Sequence, residues 1–396
     1  MEILDYLTGI SMTAVLAIAA PEFTSPSVTF IREHVRLIAP GRTVLVGRTR
    51  EDLSSLGCPA LDGIDPPQRR GRSLLPGRVD KMIGHMRRII YGPMKLSIPR
   101  SDATRVARFL NAQGVEAMLV EFLTEGVALM EAAARAGVRL YPHAHAFDAT
   151  SVPQSDPRWG TAFRELFAGS TGVMAPSQYI ANRVEALGCP SEKVLVTPCG
   201  IDPDRFTETT REVGRVVAVG RLVEKKAPHL TIAAFAKAVK RHPQARLELI
   251  GDGPLRSRCE VLARRLGVAE RVLFRGPQPN SEVQAAMRRA SVFMQHSVVA
   301  PNGDTEGLPV SILEAMACAI PVVATYHSGI PEAVLDGITG LLVAEHDVDA
   351  MGHAISALLN DPSRAMTMGL AGRNRAISEF TLARTIKRLR EAMNVT

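Results

Sequence analysis

The sequence predicts an α/β protein made of two parallel-sheet domains in tandem, facing each other across a cleft. Short apolar runs alternate with amphipathic helical stretches along almost the whole chain, the pattern of sheets covered by helices on both faces. A turn-rich stretch without periodicity, Pro198-Cys199-Gly200-Ile201-Asp202-Pro203-Asp204, interrupts the alternation near mid-chain, after which the pattern restarts. A length of 396 residues is enough for two separate hydrophobic cores.

Taken in order, strands are expected at 13–20, 43–46, 117–121, 139–141 and 172–175, with helices at 29–38, 102–112, 126–136, 157–167 and 179–187. The segment 62–98 is rich in Pro, Arg and Gly, turns helix-like near 79–90, and has the least defined pattern of the chain. Past the seam, strands are expected at 215–219, 246–250, 272–274, 292–294, 322–324 and 341–343, with helices between them, the first at 228–241. A basic amphipathic helix, 382–393, closes the chain. No internal repeat is visible. The domain limits that follow are 1–198 and 199–378, with 379–396 as a terminal helix able to pack back on the first domain.

The composition, 46% hydrophobic and 22% charged, is that of a globular protein. The five cysteines (58, 189, 199, 259 and 318) form no C-x-x-C pair and have no His at ligand spacing. That pattern argues for a reducing compartment and against a disulfide framework or structural zinc. No apolar run approaches the ~20 residues of a membrane span. Residues 12–20 resemble a signal-peptide cleavage region, but Glu2 and Asp5 precede them without Lys or Arg, so they are read as the first strand of a cytoplasmic protein. The net charge of +7 points mildly to an anionic partner and equally to a solvated basic surface. The basic residues concentrate in 69–95, including Arg87 and Arg88, where Asp80 is the one acid.

The stretch 304–343 carries the strongest chemistry. An acidic loop, Asp304-Thr305-Glu306-Gly307-Leu308-Pro309, leads into an apolar helix from Val310 to about residue 319 with Glu314 embedded in it. A β-rich run and a second loop, Ser328-Gly329-Ile330-Pro331-Glu332, follow. Pro309 stands where a first helical residue would, and N–H groups after Gly307 would be free for a phosphate or sugar oxygen. Two glutamates in an apolar setting need a reason, because burying an unpaired carboxylate is costly.

Two further loops follow strands. Gly220-Arg221-Leu222-Val223-Glu224-Lys225-Lys226 combines a tight turn with cations that could converge on a diphosphate, although solvated strand-to-helix loops are often basic. Gly251-Asp252-Gly253 is part of a dinucleotide fingerprint without its third glycine, and turn chemistry explains it as well. In the first half, His143-Ala144-His145-Ala146-Phe147-Asp148 ends a strand. Two His two apart could bind a metal, but no third ligand is suggested nearby, and a loop His facing the cleft fits better. Asp202 and Asp204 form an acid-x-acid string in the seam, a poor place for a catalytic metal. G-x-S-x-G, P-loop and H-E-x-x-H patterns do not occur, which removes support for serine hydrolase, NTPase and zincin chemistry.

Together these loops resemble the family 4 retaining glycosyltransferases, whose GT-B architecture is two Rossmann-like domains facing across a cleft. The resemblance runs through the second half from Gly220-Arg221…Lys226 and Gly251-Asp252-Gly253 to Glu306-x7-Glu314 and Gly329-Ile330-Pro331-Glu332. In the first half, His145-Ala146-Phe147-Asp148 resembles the family's His-Gly-x-Asp loop. Ser27-Val28-Thr29-Phe30 is similar to the Ser-Glu-Thr-Phe signature of the exopolysaccharide branch, the transferases for colanic acid and amylovoran.

The resemblance implies transfer of a hexose from a nucleoside diphosphate sugar to a glycan, carried by lipid at the inner face of the plasma membrane, with no cofactor and no metal. It implies that Arg221 and Lys226 neutralise the diphosphate and that Glu314 takes the ribose hydroxyls. Gly251, Asp252 and Gly276 would line the nucleotide pocket. Catalytic roles fall to His145, beside the reacting centre, and to Glu306, on a donor-sugar hydroxyl, while Gly307, Leu308, Pro309 and Val310 present backbone groups to the sugar and phosphate. Ala227, Ala319 and Ala146 replace glycines usual in the family, which questions turn geometry at the first two and the loop beside His145 at the third. The basic 69–95 segment is the expected contact with an anionic membrane. A nucleotide-sugar epimerase and a non-catalytic nucleotide-sugar binder are the rival readings. Nucleic acid is not expected, since the basic stretch has few aromatics for stacking.

Overall fold

A computed structural model describes residues 15–25, 28–48, 52–64, 96–206 and 211–395. Its first sheet contains β1 (Leu16–Ala20), β2 (Thr43–Gly47), β3 (Ala60–Leu61), β4 (Ala117–Glu121), β5 (Arg139–His143), β6 (Val173–Ala175) and β7 (Val194–Val196). They lie in the order β3-β2-β1-β4-β5-β6-β7, every pair parallel. The second sheet holds β8 (Arg215–Val219), β9 (Arg246–Ile250), β10 (Val272–Gly276), β11 (Val292–Gln295), β12 (Val322–Thr325) and β13 (Gly340–Val343), in the order β10-β9-β8-β11-β12-β13, again parallel.

Parallel strands buried on both faces read as unbroken apolar runs, which is why Leu-Ala-Ile-Ala-Ala in β1 and Ala-Met-Leu-Val in β4 were recognisable. Successive residues serve opposite cores. Ala17, Ala19, Met118 and Val120 pack under the helices Arg100–Ala112, Leu123–Ala136 and Arg158–Gly169, while Leu16, Ile18, Ala117 and Leu119 face the other side. The second sheet repeats this arrangement, with Val216, Leu249 and Met294 on one face and Val217, Ile250 and Phe293 on the other. β3 and β7 were not expected. One is two residues long and the other three, too short for periodicity to show.

Both sheets reverse strand order at one point, between β1 and β4 in the first and between β8 and β11 in the second. Loops at the C-terminal ends of strands beside such a reversal form the crevice where ligands bind in open parallel sheets. Glu121 ends β4 and His143 ends β5, while Gly220 follows β8 and Gln295 ends β11.

The terminal helix Leu382–Met393 packs on the first domain. Ile386, Leu389 and Met393 join Leu16, Ile18 and Val35 in one core. Arg390 donates to the carbonyls of Ile38 (2.7 Å) and Leu37 (2.8 Å), and Arg139 donates to that of Met393 (2.6 Å). The crossover to this helix runs against the seam: Ile201 N–H donates to Phe380 O and Leu382 N–H to Ile201 O. A Cβ on Gly200 would stand 2.5 Å from the Thr381 carbonyl, so only glycine fits there. Asp202 is used in the same turn, where it caps the 203–205 turn through Asp204 N–H and pairs with Arg205 at 3.0 Å. Ser27 and the basic segment 69–95 lie outside the described residues. Among the described residues no helix is long and apolar enough to cross a membrane.

Candidate active site

In the second domain, the expected loops meet at the β8/β11 reversal. Gly220, Arg221, Lys226, Thr231 and Gln295 line a small pocket there. The backbones of the glycine loops touch: a Cβ on Gly251 would sit 2.1 Å from the carbonyl oxygen of Gly220, and Gly251 also has φ 131°. Gly251 N–H donates to Gly276 O at 2.9 Å, joining the ends of β9 and β10, and Asp252 turns its carboxylate onto Gly253 N–H at 2.8 Å. Gly251, Asp252 and Gly276 thus form one rim.

Lys226 Nζ stands 3.0 Å from Glu306 Oε1. Glu306 is 6% exposed. Burial pushes its carboxyl toward the neutral form, but the Lys226 and Lys225 ammoniums outweigh this and hold it below the usual range. Lys225, not singled out from the sequence, fastens the loop from beneath through Asp304 (3.0 Å) and the Thr305 carbonyl (2.8 Å). His327 Nε2 accepts the N–H of Glu306 at 3.0 Å, so its Nδ1 carries the proton, 2.6 Å from Glu345 Oε1. Gly307 O accepts from Gly329 N–H at 3.0 Å, which ties the two loops of the 304–343 stretch together.

The helix after this loop is Val310–Ala317, shorter than expected, and Pro309 is its capping residue with ψ 116°. Having no N–H, Pro309 cannot offer a donor, so the donors of this loop are Gly307, Leu308 and Val310. Glu314 has no hydrogen-bonding partner among the described residues, and burial pushes its carboxyl up to about 7.

The first domain supplies a different kind of cluster. Glu121 is 0% exposed and accepts from His34 Nδ1 (2.7 Å) and His145 Nε2 (3.0 Å), with His143 Nδ1 3.1 Å from it. Burial disfavours its charge, yet the three histidines hold its carboxyl well below the ordinary range. Burial pulls the His145 ring down to about 4, so it is neutral at physiological pH. The Asp148 carboxylate accepts from the N–H groups of His145 (2.7 Å) and Leu123 (2.5 Å), while burial pushes the carboxyl up to about 7. Nearby Cys199 stays a neutral thiol, pushed up to about 12 by burial and by Glu121.

The expectation that no third ligand lies near His143 is corrected: ligand atoms of His34, Glu121 and His143 lie within 4.8 Å of one another. The sequence separations, 87 residues for His34–Glu121 and 24 for His145–Glu121, hid the cluster. A Glu ending an otherwise apolar strand and a His on a buried helix face were the available signals.

The domains meet at these loops. A Cβ on Gly307 would stand 3.2 Å from Pro176 and 4.0 Å from Ala146 Cβ, so the donor loop lies against the His145 loop. Glu332 reaches across to accept the N–H groups of Gln178 (2.7 Å) and Tyr179 (2.9 Å) at the start of the helix Gln178–Ala186. Two of the replaced glycines do occupy left-handed backbone, Ala227 at φ 35° and Ala319 at φ 58°. Ala146 is the first residue of the helix Ala146–Thr150, so the concern about its loop does not apply. A cavity of ≈ 1190 Å³, lined by Ile201, Asp202, Thr381, Ile386 and Arg390 among others, adjoins the crossover and contains none of the site residues.

Two parallel-sheet domains with a basic, glycine-lined pocket at one switch point and a polar loop opposite define a two-domain transferase of the GT-B type. Residues 204–375 match the family model Glycosyl transferases group 1, and residues 64–205 match Glycosyltransferase Family 4. The chain is 32% identical over 324 residues to the GDP-mannose-dependent alpha-(1-6)-phosphatidylinositol monomannoside mannosyltransferase of Mycolicibacterium smegmatis, covering 78% of this chain and 84% of that one. It is 30% identical over 235 residues to the amylovoran biosynthesis glycosyltransferase AmsK of Erwinia amylovora, 58% of each chain. The fold matches Anabaena HepE, solved with UDP, at TM-score 0.75 and 17% identity, over 96% of this chain and all of that one. The chain belongs to the group 1, family 4 glycosyltransferases.

Proposed function

We propose that this glycosyltransferase moves a hexose, with retention and without a metal, from a nucleoside diphosphate sugar to a lipid-linked glycan of a cell-surface or exopolysaccharide pathway. The observation that carries this is the Lys226–Glu306 pair at the β8/β11 reversal, flanked by Arg221 and the unpartnered Glu314. Departure of a nucleoside diphosphate builds negative charge, and Arg221 and Lys226 supply the compensating cations that a metal would otherwise provide. Glu314 is an acceptor without a donor, suited to ribose hydroxyls. Glu306, positioned by Lys226 and by its backbone bond to His327, takes a donor-sugar hydroxyl, and Gly307, Leu308 and Val310 offer N–H groups. Gly251, Asp252 and Gly276 frame the nucleotide.

Glu306 is paired with Lys226, Glu121 with histidines and Asp148 with backbone N–H groups, which favours front-face displacement over a glycosyl-enzyme. The leaving phosphate oxygen then takes the acceptor's proton. An inverted anomer in the product would overturn retention, and loss of turnover in EDTA, restored by a divalent ion, would overturn metal independence.

The M. smegmatis relative's name specifies GDP-mannose and a lipid acceptor, and HepE was solved with UDP and with UDP-glucose, so these donors come first. Thermal stabilisation by GDP-mannose, UDP-glucose, UDP-galactose or UDP-N-acetylglucosamine selects among them. Membrane association through 69–95 predicts that Arg87→Glu with Arg88→Glu weakens binding to anionic liposomes at low salt; unchanged binding would refute it.

A further inference from the structure

We propose that Glu121 is a positioning residue for the transfer reaction, fixing the orientation and tautomer of His145 from inside the first domain. This rests on the placement of His145 beside the reacting centre. Glu121 closes a strand whose other residues are Ala, Met, Leu and Val, and it is completely buried. A buried carboxylate is costly unless compensated, so a Glu within an apolar strand needs its partners. An ionised carboxylate only accepts, so His145 Nε2, 3.0 Å away, carries the ring proton. The other oxygen is held by His34 at 2.7 Å, which prevents Glu121 from swinging away.

The backbone next to Glu121 is unusual. Phe122, next in sequence, has φ 79°, a costly conformation for a bulky residue, and its N–H donates to His143 O at 2.9 Å. Strand alternation puts Glu121 on the face of Ala117 and Leu119, and the Phe122 ring lies 4.5 Å from the His145 ring, with Phe30 at 5.0 Å. His145 is thereby held between two aromatic rings, by the hydrogen bond to Glu121 and by the Asp148 N–H that its side chain accepts. A neutral imidazole donating to a buried carboxylate gains electron density, which suits it to face the positive charge that develops at the donor's anomeric carbon.

The distances favour this over a bound ion. Two ligands about 2.1 Å from one tetrahedral ion stand roughly 3.4 Å apart. His34 and His145 nitrogens approach Glu121 to 2.7 and 3.0 Å, the separations of hydrogen-bonded groups, while His143 Nδ1 at 3.1 Å makes no hydrogen bond among the described residues.

The test measures hydrolysis of GDP-mannose and UDP-glucose by Glu121→Gln, His145→Ala and the double variant. Histidine ¹⁵N spectra are recorded at pH 7. Glu121→Gln is expected to lower kcat by about 10–100-fold with little change in donor KM, and to change the ¹⁵N pattern of His145. The double variant should be no slower than His145→Ala alone. Glu121→Asp, which keeps the charge for His34 and His143 but shortens the reach to His145, should show the same kcat loss and controls for misfolding. If His145→Ala keeps full kcat, the site reading itself fails. If only Glu121→Gln and Glu121→Asp keep full kcat, the site reading survives and this proposal falls. Additive losses in the double variant, an unchanged His145 tautomer, or one divalent ion per chain that disappears in Glu121→Gln would each overturn it. The ¹⁵N measurement decides the question even without turnover.

Discussion

The two polar clusters that face each other across the cleft are built on opposite plans. In the first domain, Glu121, His34 and His145 satisfy one another, and Asp148 spends both oxygens on backbone N–H groups. In the second, the half-buried Lys226 pairs with the buried Glu306, Arg221 is exposed and Glu314 has no partner among the described residues. Self-contained networks rigidify, whereas groups left incomplete are available for a ligand. On the proposed reading, the first domain holds His145 in a fixed geometry and the second leaves its groups open to the donor.

Separating Lys226 from Glu306 should have the largest effect. Lys226→Ala is expected to lower kcat/KM by about 10²–10³-fold, the scale for losing one group that stabilises transition-state charge. It also leaves Glu306 buried without its cation, a loss of about 1–3 kcal/mol readable as a lower Tm. Adding Glu306→Gln should restore Tm without restoring turnover. If Glu306→Gln alone retains full transfer, the donor-sugar role assigned to Glu306 is wrong, and the pair is only structural.

Glu314 sharpens the comparison through pH. Burial pushes its carboxyl up to about 7 in the free protein, so it is largely protonated below that pH. Ribose hydroxyls donating to the carboxylate favour its charged form and lower its pKa in the complex. Binding therefore releases a proton. The affinity for nucleoside diphosphate should rise up to about tenfold per unit as pH climbs toward 7 and then level off. Calorimetry across buffers of different ionisation enthalpy measures the proton count. Glu314→Gln should remove this component, leaving only the titration of the nucleotide, and an unchanged pH profile would place ribose elsewhere.

The two clusters also differ in how far the sequence exposed them. Arg221 and Lys226 sit in one loop directly after β8, and Glu306 and Glu314 in one short loop-and-helix stretch, so both spacings were visible along the chain. Glu121 and His34 meet His145 only through sheet order, which brings β4 beside β5 and lays the helix Thr29–Leu37 against the sheet. Nothing in local periodicity encodes that. The central strands were legible because burial on both faces leaves an apolar signature, while β3 and β7 at the sheet edge were too short to leave one. Lys225 was passed over beside Lys226 because neighbours in a turn point in different directions, one into the loop foundation and one into the pocket.

Glu332 connects the two plans. Removing its carboxylate by Glu332→Ala deprives Gln178 and Tyr179 of their acceptor and should cost about 0.5–2 kcal/mol, the range for losing a helix cap. Because the residue lies in the short helix Ile330–Ala333, whose capping Gly329 is bonded to Gly307, donor KM should rise while kcat changes less. A fall in Tm with no change in donor KM would show that the contact is a static brace, uncoupled from the donor loop.

The smallest effect tests the backbone alone. Ala319 follows the Glu314 helix at φ 58°, and its carbonyl is enclosed by Arg211, which donates to it, and by Gly369, where a Cβ would stand only 1.7 Å away. These contacts hold Ala319 in a left-handed conformation that costs an L-residue about 1–2 kcal/mol relative to glycine. Glycine pays some of this back in unfolded-chain entropy. Ala319→Gly should therefore stabilise the protein by up to about 1 kcal/mol, visible as a Tm a few degrees higher, with donor KM and kcat unchanged. A lower Tm would mean that the turn is not strained by its alanine, and that the methyl group contributes packing under the Glu314 helix instead.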